Sequence, residues 1–301
     1  MGSERQIHST RPVGMIGLGL MGSALSARLI AAGIPVIGYD IDADRGEALW
    51  GMGGEVAVSS RRVLAQCQTT IIAVFSAEQI EALLSQIDRN AKSSLMICTT
   101  TCAPDEILHI GQRVRDANIA FIEAPISGTS AELRAGSAMA LIAGKAEIIT
   151  AAKAVLDALC PLQTIVGDIG DAARTKLAIN LILQNNRAAL AEGIAFAESL
   201  GLDTATFLAT AKQSAAYSGV MDTKGDKMLA RDFTPQSHIG QTLKDAELIL
   251  DQAKRSGQSL PMTSAQTTLL RAAIAHLGGE CDSAAIIEAI RPSRSRNGAA
   301  P

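Results

Sequence analysis

The chain has 301 residues, 48% of them hydrophobic and 19% charged, with a net charge of −3 from 27 basic and 30 acidic residues. That length allows two domains. The mixed charge and the 3% aromatic content speak against a surface that grips phosphates and stacks bases. Five cysteines (Cys67, Cys98, Cys102, Cys160, Cys281) form no disulfide framework and four scattered histidines complete no zinc set, so a reduced, cytoplasmic chain without a metal is expected.

Residues 1–12 are polar, lack the apolar centre of a secretion signal and read as a disordered extension. The Pro/Ser/Gly-rich stretch at 292–301 reads the same way. No apolar run approaches the roughly 20 residues of a membrane helix.

Between these ends, strand and helix signals alternate. Val13–Gly17 reads as a strand and Leu20–Ala32 as a helix closed by Gly33. Pro35–Asp40 is the second strand and Ala43–Gly51 the second helix. Thr69–Phe75, Leu95–Thr99, Ile119–Ala124, Ala138–Gly144 and Leu162–Gly167 are further strands. Such alternation predicts a mostly parallel, doubly wound α/β sheet over residues 13–170. Then the pattern changes. Ala172–Leu200 is one long apolar-rich helix, Asp203 caps Thr204–Gln213, and helices follow at Ser237–Ser256, Thr263–Leu277 and Asp282–Ile290. Residues 171–291 are therefore expected to form an all-α domain.

The first strand runs into Gly17-Leu18-Gly19-Leu20-Met21-Gly22, a Gly-x-Gly-x-x-Gly that opens a helix within a βαβ unit. In that context it is the fingerprint of a Rossmann dinucleotide site. Gly17 makes the tight turn, Gly19 admits the pyrophosphate, Gly22 lets helix and strand pack, and the helix N-terminus faces the phosphates. Asp40 ends the second strand 18 residues after Gly22, where an acid accepts from the adenosine ribose hydroxyls and repels a 2′-phosphate. NAD is therefore favoured over NADP, although Arg45 offsets part of that repulsion. Asp40 also reads as an N-cap for the next helix, a role open to Asp42 as well.

Three further segments carry candidate chemistry. Glu123-Ala-Pro-Ile-Ser127-Gly128-Thr129 lies at the C-terminal end of a strand, where open α/β sheets bind ligands. Lys176 and Asn180 stand four residues apart, on one face of the long helix. Phe233 and the pair Lys244-Asp245 come later. Bland readings stand beside these: a solvated lysine, an Asn at a helix interface, a turn-capping Ser127 and an exposed Lys244-Asp245 pair.

With Thr100-Thr101-Cys102-Ala103-Pro104 added, these motifs in this order resemble the β-hydroxyacid dehydrogenase family, which includes 3-hydroxyisobutyrate dehydrogenase and tartronate semialdehyde reductase and, more distantly, 6-phosphogluconate dehydrogenase. The resemblance covers roughly Val13 to Ile290. It implies hydride transfer between NAD(H) and a small 3-hydroxy acid or semialdehyde, with Lys176 moving the proton and Asn180 orienting substrate or lysine. Ser127 and the N–H groups of Gly128 and Thr129 would hold the substrate carboxylate. Thr101 would lie by the nicotinamide, Lys244 would serve both substrate and cofactor, and Phe233 would close the pocket. Lysine chemistry fits, because burial and nearby positive charge bring a lysine toward the range where it trades protons near neutral pH.

Two departures from the family pattern leave the substrate open. Thr129 stands where the family has a second glycine, and Glu123 where it has Asp. Imine reductases and non-catalytic cofactor-binding relatives share the architecture, but they lack the family lysine. The apolar long helix, with the family's habit, implies a homodimer or homotetramer.

Overall fold

Two short, largely buried strands set the frame. β1 (Val13–Ile16) and β4 (Thr69–Ile72) pair in parallel, with Val13 opposite Thr69 and Ile16 opposite Ile72. The structure is a computed structural model, and it describes residues 11–87 and 91–291. Nearly all of the expected disordered ends, 1–12 and 292–301, lies outside the described residues. The chain divides into two compact units, Met1–Lys176 and Leu177–Pro301.

In the first unit β1 leads into α1 (Leu20–Ala31), β2 (Val36–Tyr39), α2 (Ala43–Gly51), β3 (Glu55–Val56) and α3 (Ser60–Gln66). After β4 come α4 (Ala77–Leu84), β5 (Leu95–Cys98), α5 (Pro104–Asp116), β6 (Ala120–Glu123), β7 (Ile126–Ser127) and α6 (Ser130–Ala135). β8 (Met139–Ala143), α7 (Ala146–Leu159) and β9 (Leu162–Gly167) complete it. The strands lie in the order β3-β2-β1-β4-β5-β6-β8-β7, with β9 beside β8. β3 through β6 in that order are all parallel, whereas β8 runs antiparallel to β6 and β7.

Strand alternation sorts the core onto two faces. Met15, Ile71, Ile97 and Ile122 pack on one side with Leu25 and Leu29 of α1 and Leu156 of α7. Ile72, Met96, Cys98 and Phe121 pack on the other with Val63, Ile80 and Ile107 from α3, α4 and α5. Each such side chain contributes on the order of 1.5–3 kcal/mol when fully buried. This is the doubly wound arrangement that the alternation predicts. β3 and β7 go beyond it: two residues each are too short to show a period.

α8 (Asp171–Ser199) is the expected long helix, and the division between the units falls within it. The second unit continues with α9 (Thr204–Lys212), α10 (Val220–Ala230), α11 (Ile239–Ser256), α12 (Pro261–Leu277) and a 3₁₀ segment, Ser283–Ala289. Asp203 caps α9 by accepting the Thr206 N–H. α10 is absent from the sequence reading because Lys224 lies on its buried face, 1% exposed, and breaks the apolar pattern. Gly225 lets α10 press against α9: a Cβ there would come within 2.8 Å of Leu208. The last segment was expected to be an ordinary helix. It winds as 3₁₀, with Ala284–Ile287 all fully buried, so it has no solvent face to give it a helical stripe.

Candidate functional site

The fingerprint loop shows a division of labour among its glycines. Gly17 has φ +91°, and a Cβ on it would lie 2.4 Å from the Ala73 carbonyl oxygen. A Cβ on Gly22 would lie 1.9 Å from the Gly17 carbonyl oxygen, so neither position admits a side chain. Gly19 differs. A Cβ there would meet only the Arg45 guanidinium at 3.6 Å. Gly19 is also the N-cap of α1, and no side chain caps that helix. The approach to its first-turn N–H groups thus fits a dinucleotide pyrophosphate, as the donor chemistry requires. Leu18 is buried within the loop, while Leu20 and Met21 are half-buried.

Asp40 is tied to the same loop. Its Oδ2 accepts the Leu18 N–H at 2.6 Å and its Oδ1 accepts the Asp42 N–H at 3.0 Å. Asp42, not Asp40, caps α2, accepting the Asp44 N–H. Arg45 leans on both acids, 3.5 Å from Asp40 and 3.2 Å from Asp42. Asp40 keeps acceptor capacity for ribose hydroxyls, because a carboxylate takes about four hydrogen bonds. Thr101 is half-buried just beyond β5, next to Thr100, whose hydroxyl donates to the Val74 carbonyl at 3.0 Å.

At the end of β6, Ser127 pairs with Met139 across β7 and β8, and so does not act as a simple turn cap. Gly128 has φ +141° and would place a Cβ 2.8 Å from that of Ala138. Thr129 caps the helix that follows. Its hydroxyl accepts the Glu132 N–H at 3.2 Å, and its own N–H donates to Glu132 Oε2 at 2.7 Å. The Thr129 amide is thus spent in a reciprocal cap of α6. Thr129-x-x-Glu132 is a capping-box signature, so the sequence carried this signal.

Lys176 on α8 is buried at 6% exposure, against the bland reading of a solvated lysine. One turn on, Asn180 is 5% exposed, and its Nδ2 donates to Asp245 Oδ2 at 2.9 Å within the second unit. Lys244 lies 3.3 Å from Asp245 Oδ1, with its side chain 17% exposed. The Lys244-Asp245 pair is therefore not on a solvated face. Gln241 also donates to Asp245 Oδ1, at 3.3 Å. Asp245 is thus a hub that sequence reasoning passed over in favour of its neighbour. Phe233 packs on the helical core, and its carbonyl accepts the Asp282 N–H. Deeper in this unit Arg187 is buried, and burial pushes its guanidinium down to about 10 against the opposing pull of Asp282 and Asp245.

A second acid, to which the sequence assigns no role of its own, is Glu123. It is 1% exposed, and its Oε2 accepts the Gly170 N–H at 2.7 Å. Burial pushes its carboxyl up to about 7, although the Gly170 and Ala173 N–H groups work the other way.

Comparison with known proteins follows the same two segments. Residues 12–167 match the NAD binding domain of 6-phosphogluconate dehydrogenase. Residues 170–290 match the model described as NAD-binding of NADP-dependent 3-hydroxyisobutyrate dehydrogenase. The chain is 27% identical over 299 residues to glyoxylate/succinic semialdehyde reductase 2 of Arabidopsis thaliana, covering 98% of this chain and 83% of that one. It is 28% identical over 283 residues to L-threonate dehydrogenase of Cupriavidus necator, covering 92% and 95%. In fold it is similar to the crystal structure of 3-hydroxyisobutyrate dehydrogenase from Salmonella typhimurium, with a TM-score of 0.84, 23% identity and coverage of 92% and 99%. The fingerprint loop, the order of the motifs and these matches together establish that the chain belongs to the β-hydroxyacid dehydrogenase family of NAD(P)-dependent oxidoreductases.

Proposed function

We propose that the protein transfers a hydride between NAD(H) and a small 3-hydroxy acid or the corresponding semialdehyde, with Lys176 as general acid/base. The observation that carries this reading is the buried Lys176, one helical turn from an Asn180 whose amide is oriented by Asp245. Oxidation of an alcohol removes the hydroxyl proton as hydride leaves carbon, and reduction reverses both steps. A bound nicotinamide cofactor would supply the hydride acceptor or donor. Lys176 accepts the proton in one direction and donates it in the other. Asn180 holds substrate and lysine in register, because orientation of the reacting groups is worth several orders of magnitude in rate.

Ser127 and the Gly128 N–H hold the substrate carboxylate, while Thr129 fixes the loop through its cap with Glu132. Lys244 contributes to substrate and cofactor binding, and Phe233 and Thr101 to cofactor binding. On the cofactor, Asp40 favours NAD, since a 2′-phosphate would face a carboxylate already committed to the loop, with Arg45 sharing its charge between two acids. The unpaired cysteines fit a cytoplasmic setting. Among the described residues no helix is long and apolar enough to cross a membrane.

Exposed Ile182 and Phe196 on α8 and Leu200 just past its end, at 60%, 65% and 59%, support association of the chain into a homodimer or homotetramer. Light scattering at micromolar concentration tests this, and a monomer would overturn it.

The functional test is initial-rate formation of NADH and NADPH from 3-hydroxyisobutyrate, D-glycerate, L-threonate and 4-hydroxybutyrate, with Lys176→Ala as control. Turnover that falls about 10²–10⁴-fold in the variant while NADH still binds is the expected result. Turnover that survives the substitution would remove Lys176 from the mechanism. NADH binding without turnover of any of the four would favour a non-catalytic role.

A further inference from the structure

We propose that Glu123 is a positioning residue: from the end of β6 its carboxylate takes the Gly170 N–H at the start of α8 and so fixes the turn that leads to Lys176. The inference rests on the reading of Lys176 as the proton-transfer residue, and all three residues lie in the first unit. Glu123 Oε2 is 2.7 Å from the Gly170 nitrogen, and the Ala173 N–H, in the first turn of α8, pulls the carboxyl's pKa down from the same helix start. Ala173 precedes Lys176 by three residues, about one helical turn. A shift of the first turn of α8 is therefore a shift of the lysine, and a displacement of about 1 Å at reacting groups costs on the order of 10²-fold in rate.

Two observations separate this from ordinary capping. The helix has its own acid in the first turn, Asp171, but that carboxylate is turned away, accepting the Asp168 N–H at 3.0 Å and pairing with Arg174 at 2.6 Å. The Gly170 amide is left to an acid from a different element. That acid is almost fully buried, a costly choice for a cap, and a backbone amide is its hydrogen-bond partner. Glu123 also opens the segment that ends in Ser127 and Gly128, so one strand end presents the proposed substrate loop and clamps the proposed catalytic helix.

Protonation weakens the clamp, because the neutral carboxyl is a poorer acceptor. The carboxyl is pushed up to about 7 by burial, opposed by the Gly170 and Ala173 N–H groups. The charges acting on it are Asp171, which raises it, and Arg174, which lowers it, while its register partner on β5 is Cys98 and on β8 the neutral Ala143. The hydrogen bond to the start of α8 is thus expected to strengthen as pH rises through about 7, while the burial of the charge moves the net balance against the folded state.

The experiment compares the full-length wild type with Glu123→Gln and Glu123→Asp. It reads kcat, KM and NADH affinity on whichever of the four hydroxy acids is turned over. It also reads amide hydrogen exchange over residues 168–178, and the rate at which acetic anhydride acylates Lys176, at pH 6 and pH 8. Expected are a kcat about 10–100-fold lower in Glu123→Gln with KM and NADH affinity within twofold, partial recovery in Glu123→Asp, faster exchange confined to the start of α8, and altered Lys176 acylation. Wild-type kcat in Glu123→Gln overturns the proposal, as does a loss of kcat that tracks a loss of NADH affinity and faster exchange throughout the sheet. If the wild type turns over none of the acids, the proposed function fails, and exchange and acylation decide this inference alone. Local loosening with altered acylation upholds it, and unchanged values overturn it.

Discussion

Replacing Lys224 with methionine should cost the helical unit about 3 kcal/mol. Lys224 Nζ donates to both oxygens of Asp282 at 2.8 Å and to Ser237 Oγ at 3.1 Å, with side-chain exposures of 2% and 0% for the charged pair. Removing one partner of such a pair costs roughly 3–5 kcal/mol, because the other charge is left in the interior. Asp282 is not abandoned entirely: it also accepts the N–H groups of Gln236 at 2.8 Å, Ser237 at 3.2 Å and Ala284 at 2.9 Å. Burial alone would raise its carboxyl, yet Lys224 and the Ala284 and Gln236 amides together hold it below the usual carboxylate range. Those remaining donors, and the similar length of methionine, place the expectation at the low end of the range. Asp282→Asn should cost a similar amount, since it strands the ammonium. The double variant should lose about 4 kcal/mol rather than about 6, a coupling of about 2 kcal/mol. Urea unfolding followed by circular dichroism at 222 nm measures all three. A Lys224→Met loss under about 1 kcal/mol, or additive single losses, would show that the pair does not hold α10 to the 3₁₀ segment as argued.

Gly19→Ala should fold like the wild type but bind NADH at least about 10-fold more weakly, whereas Gly22→Ala should be destabilised by more than about 3 kcal/mol, because its Cβ would lie 1.9 Å from the Gly17 oxygen. NADH fluorescence titration and thermal melts separate the two, and wild-type NADH affinity in Gly19→Ala would remove the pyrophosphate from that position. Asp40→Ala should lower the NAD/NADP ratio of kcat/KM by about 10-fold or more, and Arg45→Ala should raise it; ratios that do not move would detach both residues from the ribose. Glu123 should give the fold a pH slope. Its folded carboxyl is raised to about 7 from 4.5, so the folded state keeps a proton that the unfolded state has lost between those values. The stability it contributes is full below pH 4.5 and gone above about 7, a change of about 3 kcal/mol that Glu123→Gln should abolish in urea midpoints measured from pH 4.5 to 8.

What was legible in the sequence is what local chemistry specifies. α2 falls at Ala43–Gly51 as read, and α1, α8 and α9 agree to within one residue at each end, because Gly33, Gly201 and Asp203 mark those ends. The fingerprint glycines and the Lys176–Asn180 spacing are local in the same sense. α10 was hidden because a buried lysine reads as surface, and Lys224 is buried only by virtue of Asp282, 58 residues later. Asn180 and Asp245 are 65 residues apart, and Glu123 and Gly170 are 47 apart. No periodicity links residues at those separations; tertiary folding brings them together.

The acids make the point most sharply. Asp40, Glu123 and Asp245 look in sequence like a strand-end acid, a variant of a loop acid and half of a surface ion pair. In the structure each is almost buried, and each holds a donor from a segment of the proposed site. Asp40 takes Leu18 of the fingerprint, Glu123 takes Gly170 at the start of the lysine helix, and Asp245 takes Asn180 beside that lysine. A buried carboxylate is costly unless its hydrogen bonds are satisfied, so such acids survive where the donor they fix is worth fixing. The residues that perform the proposed chemistry were therefore readable from their spacing, and the residues that aim them only from the fold. That difference has a measurable form: substitutions at Lys176 should remove the chemistry outright, whereas those at Glu123 and Asp245 should lower kcat and leave NADH bound.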